Sequence, residues 1–172
     1  MNIILLGYMA SGKSLIGKKL AKTLNYNYID LDAYIESEEQ SSVSELFEKK
    51  GELFFRKEEH KHLNTLLNTS EKTILSLGGG TPCYYNTMTL LKTNENFKTI
   101  YLRVSIPELV SRLKSEKAKR PLIAHIKTDE LLTEFIGKHL FERSNFYNQA
   151  EVIINANENP EAIVEAILLQ LF

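Results

Sequence analysis

Hydrophobic residues along the 172-residue chain fall into two alternating patterns. Ile3, Ile4, Leu5 and Leu6 form an unbroken apolar run that stops at Gly7. Such a run marks a strand covered on both faces, as in a parallel sheet. Over residues 14–24 the spacing becomes helical, with Leu15, Ile16, Leu20 and Leu24 on one stripe. A second strand is predicted over 26–31. Ser42 and Glu45 stand three apart as a capping box for a helix running through Lys49 and stopped by Gly51. A helix over 52–67 and a strand over 73–77 follow, and Gly78, Gly79 and Gly80 break that strand. Beyond them the pattern predicts a strand over 99–104 and a helix over 107–114, with Pro107 in its first turn. A helix over 131–147, a strand over 152–154 and a last helix opened by Asn159 and Pro160 complete the chain. Alternating strands and helices predict an α/β fold, a parallel sheet with helices on both faces.

Length predicts one domain over 1–172, and neither an internal repeat nor a linker divides it. Hydrophobic residues at 43% and charged residues at 25% exclude a disordered chain. The 21 Lys and Arg are matched by 22 Asp and Glu, so no basic field favours nucleic acid or an anionic membrane. Cys83 is the one cysteine and cannot form an intramolecular disulfide, which suits a reducing compartment. No segment is apolar enough for a membrane span, and the apolar start is too short for a signal-peptide core. The expected location is cytoplasmic.

Gly7-Tyr8-Met9-Ala10-Ser11-Gly12-Lys13-Ser14 fits G-x-x-x-x-G-K-[ST] between a predicted strand and a predicted helix. Glycines let backbone N–H groups turn in on phosphate oxygens, and the helix N-terminus adds a positive dipole. Lys13 can reach the β- and γ-phosphates, and the Ser14 hydroxyl can hold Mg²⁺. This loop alone leaves ATPase, GTPase switch, kinase and repair protein open.

Asp30 and Asp32 lie at the end of the second predicted strand, where parallel sheets open their ligand crevice. One could hold a metal through water, and the other could take a proton from a substrate hydroxyl. Asp32 equally suits the N-cap of a helix over Ala33, Tyr34 and Ile35. Arg56 is unusual early in a helix; it either grips a substrate anion beside Phe47 and Phe55 or is a solvated arginine paired with Glu52 or Glu59. Gly78, Gly79 and Gly80 imply close approach to the main chain. Arg112, Lys114, Lys117, Lys119 and Arg120 form a basic run with little apolar surface, suited to a lid over about 112–127 or to a charged loop. On spacing alone Arg143 reads as a surface arginine. His60 and His62 diverge on a helix, and His125 and His139 have no ligand-like neighbours in sequence. Cys83 reads as a small packing residue.

Taken together, these residues resemble the shikimate kinase family, P-loop kinases of the nucleoside-monophosphate-kinase-like group. The likeness spans nearly the whole chain through six landmarks: the phosphate loop, Asp30-x-Asp32, Phe55-Arg56-x-x-Glu59, Gly78 to Gly80, Arg120-Pro121-Leu122, and Arg143 with Tyr147. The resemblance implies a three-layer α/β/α fold, a five-stranded sheet in the order 2-3-1-4-5 and a mobile lid. It implies direct in-line phosphorylation of the shikimate 3-hydroxyl by ATP with Mg²⁺, in a monomer of the aromatic amino-acid pathway. It assigns catalysis to Lys13, Asp32 and Arg120. ATP falls to Ala10, Ser11, Gly12, Lys13, Ser14, Leu15, Arg112 and Arg120. Shikimate falls to Asp32, Arg56, Gly78, Gly79, Gly80 and Arg143, with about 32–60 as the substrate-binding segment. Metal falls to Ser14 and Asp30. Ala10 replaces the family's glycine and is expected to keep φ negative. Residues 157–160 lack the arginine that often packs on adenine. Gluconate- or adenylate-kinase-like activity is the alternative on this scaffold. A non-catalytic nucleotide switch would not need Lys13, Asp32 and Arg120 together.

Overall fold

A computed structural model describes residues 1–172. In chain order the elements are β1 (Asn2–Leu6), α1 (Lys13–Leu24), β2 (Asn27–Asp30), α2 (Leu31–Glu39), α3 (Val43–Lys50), α4 (Glu52–Thr69) and β3 (Thr73–Ser76). They continue with α5 (Thr87–Thr93), β4 (Phe97–Arg103), α6 (Ile106–Lys114), α7 (Asp129–Tyr147), β5 (Val152–Asn155) and α8 (Pro160–Leu171). Two short 3₁₀ turns occupy Thr81–Cys83 and Lys117–Lys119. No helix is long and apolar enough to cross a membrane.

All four strand pairings are parallel, in the order β2-β3-β1-β4-β5. The central strand sets Ile3 beside Ile74 on one side and Ile4 beside Thr99 on the other. Ile3 to Leu6 are wholly buried, which is why that run does not alternate with polar residues. Every strand points its carboxyl end to the same edge of the sheet, and the loops that leave this edge carry the chemistry.

Local chemistry explains most boundaries. Ser42 and Glu45 form the predicted capping box at the start of α3. α7 begins at Asp129, two residues before the periodic pattern, because the Thr128 side chain accepts from the Leu131 N–H at 3.2 Å. β2 is shorter than predicted: Leu31 already belongs to α2. Asp30, not Asp32, caps α2, accepting from the Ala33 N–H at 3.3 Å. Asp32 is thereby left in the first helical turn, with its carboxylate free for other partners. The spacing does not announce α5, whose seven residues are too few to show a period.

Candidate active site

Loops at the carboxyl edge enclose a cleft of about 610 Å³. It is lined by the phosphate loop from Met9 through Ile16, by Asp30, Asp32, Gly78 and Gly79, and by Arg112 and Arg120. Ala10, Ser11, Gly12, Lys13, Ser14 and Leu15 are therefore together, as the sequence predicts. Arg56, Gly80 and Arg143 lie just beyond this lining, around the glycine triplet.

The phosphate loop corrects one expectation. Ala10 has φ 61, in the left-handed region, not a negative φ. Curling the loop inward demands that conformation at this position whichever residue stands there, and alanine bears a strain of about 1 kcal/mol. Gly12, at φ 92, supplies the second left-handed turn and the N-cap of α1. Lys13 reaches back to donate to the Gly7 and Tyr8 carbonyls, at 2.8 and 3.1 Å. Burial lowers its pKa to about 8; Asp32 and Asp30 oppose that shift, and Arg120 and Arg143 add to it. The Ser11 hydroxyl is buried with no partner. A lysine held only by carbonyls and an orphaned hydroxyl fit a site for an anionic group.

Ser14 donates to Asp30 at 3.3 Å, and the Tyr28 hydroxyl donates to the same oxygen at 3.4 Å. A hydroxyl beside a carboxylate is a hard-oxygen donor set, which suits Mg²⁺ better than a softer metal. Asp32 has its pKa raised to about 6, first by burial and then by Glu59 and Asp30, against the pull of Lys13 and Arg56. A carboxyl that titrates there can exchange a proton near neutral pH.

Each glycine of the triplet makes room for a different functional side chain. A Cβ on Gly78 would sit 3.0 Å from Asp32 Oδ1 and 3.2 Å from Glu59 Oε1. One on Gly79 would sit 3.3 Å from Arg143 Nη1, and one on Gly80 would overlap the Arg56 guanidinium, 2.9 Å from Cζ. Arg143 is thus half-buried at the site, not the surface arginine that spacing suggests. Helical spacing cannot say which face of α7 meets the sheet edge.

Arg56 has the acidic partners of one reading and the aromatic wall of the other. It pairs with Glu59 at 2.9 Å and lies 3.6 Å from Glu52, yet it is buried, not solvated. Its guanidinium sits 4.3 Å from the centre of the Tyr84 ring, and its buried Nε, the atom nearest Glu52, makes no hydrogen bond. Glu59, itself 2% exposed, also accepts from the Thr81 hydroxyl at 2.6 Å. The sequence offers Glu59 as a partner of Arg56 but not as the buried carboxylate that also holds Thr81 and, as a like charge, raises the pKa of Asp32. Its place three residues after Arg56 was the available signal. Tyr147, another landmark without an assigned task, donates to the Gly79 carbonyl at 2.5 Å.

On the lid side, Arg112 belongs to α6 and is tied down. It donates to the Ala10 and Ala156 carbonyls at 3.1 and 2.9 Å and pairs with Glu108 at 2.8 Å. Arg120 lines the cleft but is paired with Glu116 at 2.7 Å. The segment is not without apolar anchors, as its charge had suggested: Ile123 and Ile126 are 0% and 7% exposed. His62 does not stand alone either. It bridges α2 and α4 by contacting Glu39 at 2.8 Å, and Glu58 lies nearby. His139, which has no ligand-like neighbours in sequence, meets the Tyr8 hydroxyl at 2.9 Å.

Known proteins resemble this chain in sequence and in fold. The shikimate kinase family model matches residues 9–172. A shikimate kinase of Flavobacterium psychrophilum is 46% identical over 171 residues, covering 99% of this chain and 98% of that one. One from Flavobacterium johnsoniae is 48% identical over 149 residues, covering 87% and 86%. The crystal structure of shikimate kinase from Bacteroides thetaiotaomicron matches with a TM-score of 0.91 at 38% identity, covering 99% and 98%. That of Acinetobacter baumannii, in complex with shikimate, gives 0.83 at 27%, covering 99% and 92%. Sequence, fold and cleft thus lead to one assignment: the chain belongs to the shikimate kinase family.

Proposed function

We propose that this site transfers the γ-phosphoryl group of ATP directly to the 3-hydroxyl of shikimate. The chain is an ATP-dependent kinase of the shikimate pathway, and its reaction is the phosphorylation of shikimate. The observation that carries the mechanism is the position of Asp32. It shares the cleft with Lys13 on the phosphate side and feels Arg56 on the glycine-triplet side.

Asp32 orients the attacking hydroxyl and accepts its proton, while Lys13 leaves its loop carbonyls to meet the phosphates. Arg56 and Arg143 hold the substrate carboxylate beside Gly78, Gly79 and Gly80, so the ring is oriented before transfer. Ser14 and Asp30 are the residues that would hold Mg²⁺, which when bound neutralises charge on the transferring phosphoryl group. Arg120 exchanges Glu116 for phosphate as the lid closes, and Arg112 flanks the nucleotide at the far end of the cleft. The site's residues all come from one chain of a single domain, which supports a monomer. One cysteine without a partner supports a cytoplasmic location.

A coupled ADP-release assay with ATP and Mg²⁺, run in parallel with shikimate, gluconate and AMP, tests this reading. Turnover with shikimate and background rates with the others are expected. Turnover with gluconate or AMP at a comparable kcat/KM would overturn it.

A further inference from the structure

Three residues of α7 stand four apart on one face of the helix: His139, Arg143 and Tyr147. Tyr147 is bound to the Gly79 carbonyl, and Arg143 faces Gly79. His139 reaches the phosphate loop, where its Nδ1 lies 2.9 Å from the Tyr8 hydroxyl. The two rings meet edge-on with centres 5.4 Å apart, and Phe135, one turn earlier, packs against the imidazole.

Tyr8 is 1% exposed, and its backbone carbonyl accepts from both the Lys13 ammonium and the Ser11 N–H. The residue that steadies Lys13 through its main chain therefore grips α7 through its side chain. α7 follows directly from the lid segment. A helix is stiff, so a shift at His139 is carried one turn on to Arg143.

We propose that Tyr8 and His139 are positioning residues: their hydrogen bond fixes where α7 holds Arg143 relative to the phosphate loop, and so sets the affinity for the shikimate carboxylate. The proposal rests on the reading that Arg143 binds that carboxylate. Neither side chain touches the reacting atoms. Each acts through the helix, and a displacement of a fraction of an ångström at a bidentate arginine weakens its grip on a planar carboxylate.

Tyr8→Phe removes one oxygen and leaves the ring in place. The expected result is a KM for shikimate raised about three- to tenfold, the effect of one lost hydrogen bond. The KM for ATP and kcat should stay within about twofold, by the same reasoning that only substrate positioning changes. His139→Leu should behave alike, and His139→Gln, which keeps a polar partner for the hydroxyl, should restore most of the affinity. In an Arg143→Ala background, Tyr8→Phe should add nothing further.

The coupling is overturned if Tyr8→Phe leaves the shikimate KM unchanged, or if its effect persists once Arg143 is gone. Equal increases in both KM values, or no rescue by His139→Gln, would also overturn it, because they report general loosening. If Arg143→Ala alone leaves the shikimate KM at the wild-type value, the reading of Arg143 fails and the coupling falls with it. If Arg143→Ala raises that KM while Tyr8→Phe is silent, only the coupling is lost. A thermal melt of each variant verifies that folded protein is compared.

Discussion

The two cationic ends of the site are built in opposite ways. Around the glycine triplet, Arg56 is buried, paired with a buried Glu59 and walled by Phe47, Phe55 and Tyr84. On the lid, Arg120 is about a third exposed and paired within its own segment to Glu116, which is more exposed still. The first arrangement is pre-organised, because its desolvation cost is met during folding and the substrate meets a finished pocket. The second is a partly exposed pair that costs folding little, and on the proposed role Arg120 would exchange its partner during turnover. On the proposed roles, orientation of the acceptor and closure over the donor would fall to structures of different burial.

Lys13 lies where these regions meet, and the largest effect is expected there. Lys13→Met should lower kcat by about two to four orders of magnitude while leaving the fold intact, since a transition-state charge partner is lost. Near-normal turnover would remove the phosphate loop from the mechanism.

Comparing Arg56→Ala with Arg120→Ala tests the difference in build directly. Arg56→Ala should raise the shikimate KM far more than the ATP KM. It should also destabilise the protein by about 3 kcal/mol or more, because Glu59 is left buried without its cation. Arg120→Ala should lower kcat, leave shikimate affinity nearly unchanged and shift stability by less than about 0.5 kcal/mol. Equal losses of stability in chemical denaturation would erase the distinction. Hydrogen exchange sharpens it further. Amides over 115–121 should exchange fast in the free protein and slow when an ATP analogue and shikimate are both present. Those around the buried Ile123 and Ile126 should already be slower without ligand.

Asp32 carries a smaller, pH-dependent effect. Its folded pKa, about 6, lies above its ordinary value of 3.8, so folding disfavours the ionised form. Stability linked to this group is fully present below about pH 4 and is lost as pH rises through 6. Asp32→Asn should abolish turnover with ATP and Mg²⁺, yet in chelator-treated protein it should stabilise the fold at pH 7.5 by about 1–2 kcal/mol. That gain should vanish near pH 4. A variant less stable than wild type at pH 7.5 would mean that Asp32 supports the fold instead of straining it.

The smallest expected effect is at Ala10. Ala10→Gly should stabilise the protein by up to about 1 kcal/mol, since glycine holds a left-handed φ without strain. Unchanged or lower stability would mean that glycine's greater freedom in the unfolded chain outweighs the relieved strain.

Short-range spacing alone determined a good part of this protein. The phosphate loop between an apolar strand and a helix, the Ser42–Glu45 cap and the strand–helix alternation all rest on contacts within a few residues, which is the range a linear pattern can encode. The landmarks from Asp32 to Arg143 also named the residues that meet at the cleft. What the pattern left open concerns faces and burial. Whether Arg56 is solvated or buried depends on Phe47 and Tyr84, brought against it from α3 and from the loop before α5. Whether Arg143 is at the surface depends on which side of α7 packs toward Gly79. The tertiary structure also decided that Asp30 takes the capping task and frees Asp32, that Ala10 adopts a left-handed turn, and that His139 meets Tyr8 across 131 residues of chain. Each of these turns on long-range packing, whose energy belongs to pairs of surfaces and is not written in either segment by itself.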